Sequence, residues 1–103
     1  MRRESLDEQY EHVVNAAPET ERGEFGRFCR LVVDAVDEGQ LTIEEGAYRI
    51  CGTAARILEY LAEDAREIMT IAGNLELPKG QRDPTFPDWD GLKQRIQTLF
   101  PAD

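Results

Sequence analysis

Apolar residues recur at helical spacing along almost the whole chain, and polar breaks interrupt them at only a few places. Leu6, Tyr10, Val13, Val14 and Ala17 define one face of a first helix. Ser5 and Glu8 at its start have the spacing of a capping box, and Pro18 is its expected end. A second helix is predicted from Thr20 to Glu38, with Phe25, Phe28, Cys29, Val32, Ala35 and Val36 inward and Gly39 as the stop.

The next start is marked more strongly. Thr42-Ile43-Glu44-Glu45 is a capping box, in which the Thr hydroxyl accepts from the Glu45 amide and the Glu45 side chain reaches back. Both glutamates fall in the first turn, where negative charge favours the helix. From Ile43 to Ala72 the apolar positions stay within an arc of about 120° without a change of phase. That continuity predicts one long helix, or two nearly collinear ones, ended by Gly73-Asn74. Gly46 and Gly52 lie outside the arc and would each cost about 1 kcal/mol relative to Ala.

Residues 74–87, NLELPKGQRDPTFP, read as a loop, because three prolines and a glycine break any periodicity. A last helix follows from Asp88 to Phe100, with Trp89, Leu92, Ile96, Leu99 and Phe100 on one side and Pro101 closing it. The fold class expected is all-α: a small bundle of about four helices, with one long loop before the C-terminal helix. At 103 residues the chain is one domain rather than two.

Charge changes this picture more than composition does. The chain carries 21 acids against 12 bases, a formal net charge of −9, which makes free nucleic acid a poor partner and a basic protein a good one. The opening MRRESLDEQY lacks the apolar core of a signal peptide, and no run approaches a membrane span, so a cytoplasmic protein with no membrane partner is expected. Cys29 and Cys51 are far apart, and His12 is the sole histidine, so neither a zinc site nor a nucleophile–base pair is predicted. No cofactor is expected.

Two arrangements of carboxylates bear on function. Glu8/Glu11, Asp34/Asp37 and Asp64/Glu67 each have the three-residue spacing with which small all-α nucleotide pyrophosphohydrolases hold magnesium. The longer motif of such enzymes is missing. The other arrangement is a surface. Between Asp34 and Glu45 there are five acids, Asp34, Asp37, Glu38, Glu44 and Glu45, and no base. Glu59, Glu63 and Glu67, with Asp64 beside them, form an outer ridge on the third helix. Arg49, Arg56 and Arg66 are spaced to neutralise Glu45, Glu59 and Glu63 along that ridge. Either group is a candidate partner-binding site, the Asp34–Glu45 cluster foremost because it lacks local compensation.

Leu41-Thr42-Ile43-x-Glu45-x-x-x-Arg49-Ile50, following an apolar helix and a short polar turn, resembles the early segment of the colicin D-type immunity proteins. The tail Asp90-Gly91-Leu92-Lys93, running into Ile96 and Leu99, is similar to the end of those proteins. The likeness spans Phe25 to Phe100 and leaves residues 1–24 as an N-terminal helical extension. It implies a non-enzymatic helical inhibitor that offers acidic groups to the basic cleft of a tRNA-cleaving toxin domain. The expected function is therefore an acidic immunity-type protein. The alternatives are a magnesium-dependent nucleotide hydrolase and a helical scaffold that self-associates.

Overall fold

The computed structural model describes residues 5–101, with side chains described for all of them except 58–62. Among the described residues five helices follow one another: α1 Leu6–Val14, α2 Pro18–Asp37, α3 Ile43–Arg56, α4 Leu58–Leu75 and α5 Trp89–Leu99, with a 3₁₀ turn at Lys79–Gln81. Among the described residues there is no strand.

The punctuation follows the chemistry of the caps. Ser5 Oγ accepts from the Glu8 amide at 3.1 Å and starts α1. Pro18 does not end α1, which stops at Val14. It is instead the first residue of α2, where its fixed φ suits a helix and its missing N–H is no loss. Ala17 thus leaves the buried face and becomes an exposed cap. At the other end of α2, Gly39 adopts φ 81°, and the Gly39 and Gln40 amides donate back to Val36 and Ala35 at 3.0 and 2.8 Å. This is a Schellman motif, and its left-handed position explains the glycine.

The continuous reading of residues 43–72 is corrected by the structure. Helix α3 stops at Arg56, and Ile57 leaves helical geometry at φ −113°, ψ 11°. The chain then doubles back, so that Gly73 in α4 lies beside Cys51 in α3. Neither Gly nor Pro marks this turn, and Ile57 is itself fully buried. The apolar phase runs through the break because both arms of the hairpin supply the same core.

That core joins Val13 of α1, Phe25, Phe28 and Val32 of α2, Ile50 and Ala54 of α3, Ile68 and Ala72 of α4, and Leu92 and Ile96 of α5. Helix α1 is seated in it. Its Tyr10 ring meets Phe28 edge-on at 6.3 Å, and buried Gln9 donates to the Glu24 carbonyl at 2.9 Å and its carboxylate at 3.0 Å. Phe100 closes the far end against Phe25 at 5.0 Å, with its carbonyl accepting from Arg30 at 2.9 Å.

The connection between α4 and α5 is tied to the bundle. Asn74 accepts from the Asp83 amide at 2.8 Å and donates to its carbonyl at 3.2 Å, and Arg82 donates to the Leu77 carbonyl at 3.0 Å. Gly46 serves where α3 meets α2 and α5. A Cβ there would lie 2.5 Å from Val36 Cγ2, so only glycine allows this approach.

Candidate functional site

The start of α3, the end of α2 and the start of α5 meet around one side chain. Trp89, 8% exposed, packs its ring edge on Gly46 and donates from Nε1 to Asp37 Oδ1 at 3.4 Å. Burial of an indole demands a partner for its N–H, and Asp37 supplies it. This places Asp37 of α2, Glu44 and Glu45 of α3, and Asp88 and Asp90 of α5 at one end of the bundle, with Asp34 and Glu38 flanking Asp37 on α2.

These carboxylates differ in what holds them. Glu45 closes the capping box, its Oε1 accepting from the Thr42 amide at 3.0 Å while Thr42 Oγ1 accepts from the Glu45 amide at 3.0 Å. The backbone and hydroxyl bonds of Thr42, and then nearby Arg49, hold the Glu45 carboxyl below the usual glutamate range. Asp88 caps α5 by accepting from the Gly91 amide at 2.9 Å. Asp37 accepts from the Trp89 indole, whereas the exposed Asp34 side chain, one turn earlier with Glu38 just beyond, caps no helix. All three crowd the last turn of α2, which contains no base and where the helix dipole disfavours negative charge.

The lack of bases near Asp34–Glu45 in the sequence does not carry over into space. Lys93 of α5 reaches Asp37 at 3.5 Å and Asp90 at 3.4 Å, and Arg82 pairs with Glu44. Desolvation works against the Lys93 ammonium, but Asp90 and Asp37 outweigh it and raise its pKa. Compensation is therefore partial and comes from residues distant in sequence. Two carboxylates that sequence reasoning did not assign to the cluster, Asp88 and Asp90, belong to it. Their only signal was acid on both sides of a tryptophan.

The second predicted group lies elsewhere. Asp64 pairs with Arg22, near the start of α2, at 2.7 Å, and Glu67 pairs with Arg95. Arg22 and Asp37 are separated by about 22 Å along α2, so the ridge and the acidic end are separate surfaces. Glu63 is exposed, and the Glu59 side chain lies outside the described residues. The expected ladder of ridge arginines is also different. Arg49 pairs with Asp7 at 3.5 Å, and Arg56 donates to the Tyr10 hydroxyl at 2.9 Å.

Beside Glu44 and Glu45 stands Tyr48, 69% exposed, between two shallow grooves. Leu41 and Arg49 help line one, and Asp7, Phe28 and Gly52 the other. An aromatic ring at the margin of a charged surface is a frequent anchor for protein partners. The three carboxylate pairs with magnesium spacing do not converge: among the described residues no group of three or more His, Cys, Asp or Glu side chains is placed to hold a metal ion. No helix among them is long and apolar enough to cross a membrane. No family model matches the chain, and neither the curated proteins nor the solved structures contain a match.

Proposed function

We propose that this chain is an acidic inhibitory protein of the immunity type, which binds a basic protein partner through the end of the bundle where α2 stops and α3 and α5 begin. The observation that carries the reading is the position of Asp34, Asp37 and Glu38. Acids in the last turn of a helix oppose its dipole by about 0.3–1 kcal/mol each, a cost that Asp37 offsets through Trp89 and Lys93 and that the exposed Asp34 side chain does not. Surfaces of this kind are retained where function needs them. Complementary charge steers a basic partner onto such a surface and raises the association rate.

A basic nuclease cleft is the occupant best matched. It already binds polyphosphate, and Asp34, Asp37, Glu38, Glu44 and Asp90 offer it carboxylates on one exposed end. The colicin D-type likeness of Leu41–Ile50 points the same way. Association is expected to slow as salt rises, because the attraction acts through solvent.

Two experiments test this. In the first, amide NMR shifts are followed during titration with a short arginine-rich peptide at low salt. Changes concentrated in 34–49 and 88–93 support the surface, whereas changes spread evenly over all acidic segments remove it. In the second, tRNA-cleaving toxin domains of the colicin D type are co-expressed one at a time with this chain. Rescue of growth with intact tRNA identifies the target. Failure across the panel together with an unlocalised titration would sink the reading.

A further inference from the structure

A second surface, between α4 and the segment that leads into α5, has the opposite character. On α4 the residues Glu63, Arg66, Glu67, Thr70 and Ile71 form one stripe at helical spacing. Facing them across a groove of about 600 Å³ are Phe86, Pro87 and Arg95. The floor is apolar, and Phe86 remains 40% exposed at its edge. The segment presenting Phe86 is held in place. Asp83 Oδ1 accepts from the Thr85 amide and hydroxyl at 2.9 and 2.7 Å, the Phe86 amide donates to the Asp83 carbonyl at 3.2 Å, and Asn74 clasps Asp83 from α4. An exposed aromatic on a braced segment loses little entropy when covered.

The charges around this groove sum to zero on a chain of net −9. Glu67 and Arg95 neutralise each other within the chain. Glu63 and Arg66, one helical turn apart on the rim, have no ion-pair partner among the described residues. A basic partner gains nothing from a neutral rim. A second copy placed antiparallel supplies an arginine for Glu63 and a glutamate for Arg66, and meets the groove with its own Phe86. The geometry points to this groove as a two-fold interface between copies of this chain, with Phe86 of each copy seated against Ile71 of the other and Glu63 paired with Arg66 across the axis. An isologous contact requires a self-complementary patch of this kind. A standard interface takes about 800 Å² per partner, roughly an eighth of the 6323 Å² surface, so the apolar groove is its centre and the charged rim its border.

The salt response separates this contact from the acidic end. Long-range repulsion between two chains of −9 opposes the dimer, so added salt leaves it intact or strengthens it, whereas binding of a basic partner weakens. Sedimentation equilibrium of the whole chain, from low to high micromolar concentration and at low and high salt, reads the state directly. A reversible monomer–dimer equilibrium is expected. Phe86→Asp should weaken it by about tenfold or more, with helical content unchanged by circular dichroism. Glu63→Arg and Arg66→Glu should each weaken it, and the two together should restore it. A monomer at every concentration, a dimer indifferent to Phe86→Asp, or an exchange that fails to restore association would each overturn the proposal. None of these outcomes bears on the acidic end, whose residues are untouched.

Discussion

Two glycines of α3 provide a test that isolates one packing term. Replacing either by alanine in a helix interior gains about 1 kcal/mol of propensity. At Gly52 nothing lies within 4 Å of the new methyl, so Gly52→Ala is expected to stabilise the protein by about that amount. At Gly46 the same methyl would lie 2.5 Å from Val36 Cγ2, 3.3 Å from Val32 Cγ1 and 3.5 Å from Trp89 Cη2. Carbon atoms rest about 3.5–4.0 Å apart, so Val36 must withdraw by about 1 Å. Valine in a helix has essentially one rotamer, and the strain passes into the α2–α3 spacing. Overpacking of this kind costs about 1–3 kcal/mol. Because both substitutions gain the same propensity, their difference is the steric cost alone: Gly46→Ala should be less stable than Gly52→Ala by about 1–3 kcal/mol. Urea unfolding by circular dichroism measures this directly, and in a domain of this size each kcal/mol moves Tm by about 4–8 °C. Equal stability of the two variants, within about 0.5 kcal/mol, would refute the claim that Gly46 is there for close approach.

Two further outcomes follow from the caps. Gly39→Ala places a side chain at φ 81° and should cost about 1–2 kcal/mol, read by the same unfolding experiment; a neutral result would mean that the turn relaxes to another geometry. Glu45 has a depressed folded pKa, so it contributes stability above the ordinary glutamate pKa and loses it as pH falls through the folded value. Thr42→Ala should flatten the acid side of the stability–pH curve below about pH 4.3, and an unchanged acid limb would show that the Thr42 bonds do not set that pKa.

Local signals in the sequence were accurate where the cause is local. The Thr42–Glu45 box, the Gly39 stop and the inward faces of α2 and α5 all depend on neighbours within a turn or two, and all appear in the structure as read. The break at Ile57 could not be read, since no cap, Gly or Pro announces it and its side chain keeps the apolar phase. Gly46 was misleading for a related reason. Hydrophobic patterning sees only the arc toward α4, while α3 is also buried along Gly46 and Thr53 by small residues that carry no apolar signal. The candidate site was legible in its acids but not in its balance. Lys93 is 56 positions from Asp37, and Arg82 is 38 from Glu44. Only tertiary structure joins these pairs.

The proposed function and the stability of α2 make opposite demands on its last turn, and this opposition can be measured. If Asp34 served the fold, its loss would be felt in unfolding. The Asp34 side chain is exposed and makes no ion pair or hydrogen bond among the described residues, so Asp34→Asn should move stability by no more than about 0.5 kcal/mol. Asp90 is 80% exposed and contacts Lys93 only at the surface, where such a pair is worth about 0–1 kcal/mol, so Asp90→Asn should be similarly mild. Removing two like charges from the docking end, in contrast, weakens the field that steers a basic partner. The double variant should therefore fold as the parent does, yet bind the arginine-rich peptide at low salt several-fold more weakly, with the deficit shrinking as salt rises. A double variant that loses stability and keeps its affinity would assign these carboxylates to the fold and leave the acidic end without a function. Loss of affinity at unchanged stability is the signature of a surface kept for a partner.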